Sequence, residues 1–388
     1  MRKKRVKLIA EIEKQRKSKL LVYITGDRPP FGARIAEDAV RPMYDHIAKF
    51  NKENKKLDKI DLFVYSRGGD VSVPWRIVSM LREFCEELSV LIPYKAYSAT
   101  TMIALGSDNI VMGRKAELGP IDPTLERMPI GSSTVSPDQI SVEDVSSYIS
   151  FMRERANIND QMALSNVISL LAEHVQPLTL GSINRQYSHI RLVAKKLLTS
   201  RKEKMDEERL STIIEALTEK MYSHGHGIGR KEAKELGLSV IFPDEKLEKT
   251  MWDLFLEYEK LLKLNEPLHF EQVLADKEED ILKDIVIALI ESTYLLDVFD
   301  QDIRVRKVRN IPPNPQINLN LNLSLPPQID PSTLPENAQI AIQQIMEQIS
   351  KTLPQMIQDE MSKQSPVVGI ESRSLGGSWK KRKNEKSK

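Results

Sequence analysis

The chain has 388 residues, 40% of them apolar, enough to bury one large core or two modest ones and too many for a disordered chain. Its 57 basic and 55 acidic residues nearly cancel, so bulk charge gives no reason to expect a nucleic acid or an anionic membrane surface as partner. A single cysteine, Cys85, excludes an intramolecular disulfide and a cysteine-rich metal site, and its apolar setting marks it as core.

Residues 1–18 are basic and run into IAEIEKQRK, whose charges interrupt any apolar stretch. They read as a basic N-terminal helix; no signal peptide is expected, and the cytoplasm is the default location. Short apolar runs then alternate with amphipathic segments, the pattern of an α/β domain. KLLVYIT, KIDLFVYS, LSVLIPY and DNIVMG read as strands, IAEDAVRPMYDHIAKF and VPWRIVSMLREFCEEL as helices, and SATTMIALG as a third, short helix. From about residue 140 to 220 the spacing is helical, which predicts a helical insertion. The α/β pattern returns at SHGHGIGRKEAKELGLSVIF, where EAKEL is a short helix stopped by Gly237. Helices are expected again from about Glu245 to Val298. Within that stretch ILKDIVIALIESTYLLDVF carries Lys283, Asp284, Glu291 and Asp297, which predicts a buried amphipathic helix and no membrane span. A change of composition ends the α/β domain at about residue 300. Residues 301–388 hold a Pro-rich linker (PPNPQ), the alternating strand INLNLNLSL, a Gln-rich helix near NAQIAIQQIMEQI and a Gly/Ser/Lys tail.

Two motifs carry chemistry. YSRGGD, residues 65–70, follows the strand KIDLFVY, and its Gly68-Gly69 pair allows a sharp turn that leaves N–H groups with no side chain in front of them. In KAYSATTMIALG, Ser98 follows a strand and opens an apolar helix. A serine there is either an N-cap or a nucleophile beside a helix N-terminus, where the N–H of Ala99 is placed to bind an oxyanion. His224 and His226 have no third ligand near them in sequence, so neither a metal nor any other cofactor is expected. Met102 and Met112 read as core.

DLFVYSRGGDVSVPWRIVSMLR followed by VLIPYKAYSATTMIALGSDNIVMGRKAELGPIDP resembles the ClpP/crotonase superfamily, and the 29-residue step from Gly69 to Ser98 fits its pattern. With LLVYITGDR, GPIDP and HGHGIGRKEAKELGL, the chain most resembles the branch of SDH-family (serine dehydrogenase proteinase) Clp-fold serine proteinases, over residues 19–300. The resemblance implies a ββα spiral with a helical insertion and a helical C-terminal part, Ser98 as nucleophile, and an oxyanion hole at the Gly68-Gly69 turn and Ala99. For the general base it implies a departure from ClpP. Asp122 stands where ClpP has its histidine and His224 near the place of its acid, while Leu125–Asn157 holds no lysine for a Ser-Lys dyad. Lys195 and Lys196 read as a solvated helix face. A cytoplasmic serine endopeptidase acting on peptides or unfolded proteins, as a ring or stacked homo-oligomer, is therefore expected. A catalytically inactive Clp-fold assembly or adaptor protein and a crotonase-type acyl-CoA enzyme are the other classes that fit these residues.

Overall fold

The computed structural model describes residues 2–51, 55–121, 124–127, 138–174, 177–218, 227–310 and 335–382. They form two compact units, Met1–Leu268 with Val286–Gln301 and Gly377–Lys388, and His269–Ile285 with Asp302–Gly376.

In chain order the elements are α1 (Arg2–Arg16), β1 (Lys19–Thr25), α2 (Val40–Phe50), β2 (Leu57–Tyr65), α3 (Val73–Phe84), β3 (Cys85–Ile92), β4 (Lys95–Ala96), α4 (Ala99–Leu105), β5 (Asn109–Met112) and β6 (Glu117–Leu118). The helical stretch follows a short hairpin, β7 (Thr124–Arg127) and β8 (Asp138–Ser141), with α5 (Val142–Ser150), α6 (Gln161–His174), α7 (Pro177–Thr199) and α8 (Glu207–Thr218). Then come β9 (Ile228–Gly229), α9 (Arg230–Glu235), β10 (Val240–Ile241), α10 (Glu245–Leu262), α11 (Phe270–Leu274), β11 (Glu279–Glu291), β12 (Leu296–Arg309), α12 (Glu336–Gln364) and β13 (Val367–Lys381).

The first unit is built on a sheet in which β10, β5, β3, β2 and β1 run parallel as successive neighbours. β1 and the end of β2 are buried without a polar face, as parallel strands covered on both sides must be. On one side α2, α3, α4, α7 and α8 supply Met43, Ile47, Ile77, Leu81, Met102, Leu197 and Ile213 to one core. On the other, α1 and α10 cover Leu20, Val22 and Phe63 with Ile9, Ile12, Met251, Leu254 and Phe255. The buried residues of α10 recur at helical spacing, and Asp244 caps it by accepting the Leu247 N–H at 2.8 Å.

The segment ILKDIVIALIESTYLLDVF is not a helix. It forms the end of β11 and the start of β12, with β11 antiparallel to β1, Val22 opposite Glu291 and Thr25 opposite Ala288. Its run of branched apolar residues suits a strand, and two of the acids that argued for a polar helix face, Glu291 and Asp297, are instead buried and paired, while Asp284 is exposed. Glu291 accepts from Arg5 at 2.6 Å and from Tyr258 at 2.8 Å, and Asp297 lies 3.0 Å from His46. Nor is the Gly/Ser/Lys tail unstructured: Val367–Lys381 is strand β13. In the first unit Trp379 of that strand meets Phe299 edge-on at 5.6 Å, and Lys380 reaches Asp300 at 2.7 Å. The Gln-rich segment is α12, whereas INLNLNLSL, residues 317–325, lies outside the described residues.

The second unit contains α11, α12 and the remaining stretches of β11, β12 and β13. Its strands are laced by exposed ion pairs, Arg309 with Glu278 at 2.6 Å and Arg306 with Glu371 at 2.9 Å.

Asp108 ties the first unit together around α4. Its carboxylate accepts from Arg82 at 3.0 Å, Leu88 N–H at 2.9 Å and Lys202 N–H at 2.8 Å, joining α3, β3 and the chain after α7. Burial pushes this carboxyl up, but the bonds from Arg82, Leu88 and Lys202 outweigh it and hold the carboxyl below its ordinary value. The unfolded chain therefore binds the extra proton first, so this stabilisation is complete above the ordinary carboxylate range and is lost as pH falls through the folded value. Asp108→Asn is expected to lower stability by about 1.5–3 kcal/mol at neutral pH and to flatten the acid limb of the stability profile, measured by urea unfolding. An unchanged acid limb would show that Asp108 is not the group responsible.

Candidate active site

The parallel strands end along one edge of the sheet, and two of their connections meet there. After β2, Ser66 forms a parallel bridge with Ala96, accepting from Tyr97 N–H at 3.0 Å and donating its own N–H to Lys95 at 3.1 Å. The next residues turn at Gly68, with φ +107, and Gly69. Neither position has room for a side chain. A Cβ on Gly68 would stand 2.7 Å from the Cβ of Ser98, and one on Gly69 would stand 2.2 Å from the carbonyl oxygen of Ile35. The turn is pinned from the far side as well, since Ile35 N–H donates to Gly68 at 2.8 Å and Asp70 N–H to Ile35 at 2.9 Å.

Ser98 adopts φ +51 and ψ −116, a conformation that non-glycine residues rarely hold, at the junction of β4 and α4. Its side chain makes no capping bond, so the N-cap reading does not hold here, and the hydroxyl is half-buried with no hydrogen-bond partner among the described residues. A serine raised on a strained strand-to-helix turn, with its hydroxyl uncommitted, is the geometry of a nucleophile elbow. The following residues are fully buried, and Thr101 locks the turn by its hydroxyl, which lies 2.8 Å from the carbonyl of Ala96 and 2.7 Å from that of Gly119.

The amides around Ser98 divide into committed and uncommitted. Gly68 N–H donates to Ser66 Oγ at 3.0 Å, and Ser66 Oγ also accepts from Thr25 Oγ1 at 2.6 Å. Of the expected oxyanion-hole residues, Gly68 therefore has its N–H committed to the framework. The N–H groups of Gly69 and Ala99 have no acceptor among the described residues. Ser66 and Thr25, which fix this distinction, carry no motif of their own in the sequence beyond their places at strand ends.

Asp122 and His224 lie outside the described residues, but the chain leading to each is placed. Ile121 is buried and donates its N–H to Leu217 at 2.9 Å. On the other side Ile228 and Gly229 pair with Leu118 and Glu117, and Glu117 and Leu118 pair in turn with Lys95 and Ala96, two residues before Ser98. The same small sheet carries a second constraint, because Tyr97 donates its hydroxyl to the Glu117 carboxylate. Burial, with that carboxylate beside it, pushes the Tyr97 phenol well above its ordinary range.

The lysines considered as bases face solvent: Lys195 pairs with Glu207 at 2.8 Å, and Lys196 is exposed beside Trp75. A different serine–histidine–carboxylate set, unmarked in the sequence, is present at Ser292, His46 and Asp297, with His46 Nδ1 2.8 Å from Ser292 Oγ and Nε2 3.0 Å from Asp297. All three side chains are buried, and Ser292 Oγ also accepts from Tyr294 and Leu295 N–H groups at 3.3 Å, so no substrate reaches it and it serves the turn between β11 and β12. Among the described residues no group of three or more histidine, cysteine or carboxylate side chains is arranged to hold a metal, and no helix is long and apolar enough to cross a membrane.

Among curated proteins the chain is similar to two uncharacterized proteins of Methanocaldococcus jannaschii. One is 27% identical over 239 residues, 61% of this chain and 73% of that protein, and the other 23% identical over 244 residues, 61% and 71% respectively. Solved structures similar to it include the 1510-N membrane-bound stomatin-specific protease in two mutant forms, one in complex with a substrate peptide. They are 17% and 18% identical at TM-scores of 0.35 and cover 60% of this chain and 85% and 80% of theirs. The ClpP protease catalytic domain from Plasmodium falciparum is 10% identical at a TM-score of 0.29, covering 61% of this chain and 91% of its own. Residues 1–177, which contain both the Gly68-Gly69 turn and Ser98, match the family model of ClpP-like SDH-type serine proteinases.

Proposed function

We propose that this chain is a cytoplasmic serine endopeptidase that cleaves peptide bonds through an acyl-enzyme on Ser98, with the N–H groups of Gly69 and Ala99 as oxyanion hole. The observation that carries the reading is the strained, uncapped Ser98 standing against a turn that admits no side chain. Ser98 Oγ attacks the scissile carbonyl as its proton passes to a base, and negative charge gathers on the carbonyl oxygen. Two N–H groups held by backbone geometry, one of them at a helix start, stabilise that charge without having to reorganise. Collapse of the tetrahedral species expels the amine, which takes up the proton, and water then releases the acyl group by the reverse sequence.

The base belongs to the same proposal. Asp122 and His224 act on Ser98 as a pair, one taking its proton and the other orienting the partner, and the support for this is that the described neighbours of both are pinned around α4 and the β4–β6–β9 sheet. No cofactor takes part. The buried thiol of Cys85 stays out of the chemistry, since burial pushes it up to about 11.

A fluorophosphonate probe is expected to label the wild-type chain at Ser98 and to leave Ser98→Ala unlabelled and inactive on casein, with stability changed by less than about 1 kcal/mol. Absence of labelling in the assembled wild-type protein would count for a non-hydrolytic adaptor or an acyl-CoA enzyme instead. His224→Ala and Asp122→Asn should each slow labelling by at least about a hundredfold, the lower end of what a general base contributes. Wild-type rates in both would remove the pair from the mechanism.

Two further substitutions separate site from scaffold. Gly68→Ala places a methyl group 2.7 Å from the Ser98 Cβ, so it is expected to displace the nucleophile and cut the labelling rate on the order of a hundredfold. Ser292→Ala should keep full labelling while lowering stability by about 1–3 kcal/mol, as loss of a buried hydrogen-bonded hydroxyl does. The opposite outcome, labelling lost with Ser292 and kept in Gly68→Ala, would move the active site to the buried set.

A further inference from the structure

Tyr97, which directly precedes Ser98, is anchored through its side chain as well as its backbone. β4 pairs parallel with β6, Lys95 opposite Glu117 and Ala96 opposite Leu118, and β6 pairs antiparallel with β9, Glu117 opposite Gly229 and Leu118 opposite Ile228. Ala96, Leu118 and Ile228 are fully buried, so they face the core and the positions that alternate with them face the other way. One step along the same register, Tyr97, Gly119 and Gly227 fall in a row on that other face. Two of these three have no side chain, and the Tyr97–Glu117 pair takes the space. A Cβ on Gly119 would stand 2.6 Å from Cδ1 of Tyr97, and one on Gly227 would stand 2.5 Å from Oε2 of Glu117. The Tyr97 ring therefore lies over Gly119, its hydroxyl donates to Oε1 of Glu117, and the other carboxylate oxygen rests against Gly227.

The Tyr97 backbone is fixed too, its N–H donating to Ser66 at 3.0 Å and its carbonyl accepting from Thr100 N–H at 2.9 Å. The peptide leading into Ser98 is thus held at its carbonyl and, through Tyr97, by a side chain. Ser98 needs such support, because its φ is +51 and its own side chain makes no bond that would keep Oγ in place. The phenol stays a donor, since burial, with the Glu117 carboxylate beside it, pushes it well above its ordinary range. Gly119 and Gly227 are each three residues from a member of the proposed base pair, Asp122 and His224, so the same contacts join the nucleophile to the chain that leads to both.

We propose that Tyr97 and Glu117 are positioning residues for the nucleophile: their hydroxyl–carboxylate bond clamps the residue before Ser98 onto the 117–119 strand and the chain at Gly227, and so holds the Ser98 hydroxyl in attacking geometry. This rests on the reading of Ser98 as nucleophile and adds the two side chains that keep it in place.

Fluorophosphonate labelling of the full chain, followed in time over a range of probe concentrations, separates the chemical step, kinact, from probe binding, KI, and its endpoint counts the folded, competent sites. Tyr97→Phe keeps the ring over Gly119 and removes only the bond. It is expected to lower kinact about tenfold with KI and endpoint unchanged, less than the roughly hundredfold that a misplacement of about 1 Å can cost. Glu117→Ala should lower kinact at least as far, and Glu117→Gln, which keeps an oxygen to accept the phenol proton, should recover most of that loss. Tyr97→Phe combined with Glu117→Ala should fall no further than Glu117→Ala alone, as partners in one bond do. A wild-type kinact in Tyr97→Phe, a lower endpoint at unchanged kinact, a Glu117→Gln no faster than Glu117→Ala, or additive losses in the double variant would each overturn the inference while leaving Ser98 the nucleophile. A wild type that does not label would overturn the peptidase reading and this inference with it.

Discussion

The candidate site depends on a backbone approach that leaves no space for a single methyl group. Gly68 faces Ser98 and Gly69 faces Ile35, so the turn after β2 is clamped between the strand residue on one side and the serine elbow on the other. Close packing of this kind is rigid because nothing in it can rotate out of the way. It also explains why Ser98 keeps a positive φ with no side-chain bond to offset the strain. Thr101, the Ser66–Ala96 bridge and the buried start of α4 hold the residue on three sides.

Within that clamp the two glycines do different work. Gly68 gives its N–H to Ser66, whose hydroxyl is itself fixed by Thr25 at the end of β1. The turn is thereby tied to the end of β1, the neighbour of β2 in the sheet. Because the first amide is consumed, the second is left without an acceptor among the described residues, as the proposed oxyanion hole requires. A double glycine is needed because one position must accept a positive φ and the other must accept contact with Ile35; neither alone would orient the Gly69 amide.

Buried charge organises the rest of the first unit. Glu291 with Arg5 and Tyr258, Asp297 with His46, and Asp108 with Arg82 each join elements distant in sequence, and Glu291 and Asp108 each accept from more than one donor. Removing one partner from such a set strands a charge in the core, whereas an apolar replacement of the whole set need not destabilise. Their value lies in direction. A carboxylate with fixed donors accepts one arrangement of its neighbours: Asp108 fixes the end of α4 against α3, and His46 between Asp297 and Ser292 fixes the β11–β12 turn against α2.

These same residues show what a sequence discloses and what it hides. The strands β1, β2, β3 and β5, the helices α2 and α3, and the Ser98 elbow were legible because each is dictated by its own residues: continuous apolar runs, apolar positions three and four apart, or glycine at a strand end. The 279–309 hairpin was not, since Glu291 and Asp297 look like part of a polar helix face until Arg5, Tyr258 and His46, contributed from far along the chain, are seen to partner them. The strand at 367–381 was hidden for the converse reason: most of it is exposed and without apolar alternation, and Trp379 packs on partners that lie elsewhere in the chain. The commitment of the Gly68 amide to Ser66 was hidden on the same ground. Its φ is a local matter that glycine announces, but whether its amide is free depends on a serine hydroxyl two residues back and on a threonine forty residues earlier. Sequence thus reports where the backbone can turn, and the hydrogen-bond accounts of the folded chain decide which of its polar groups remain for chemistry.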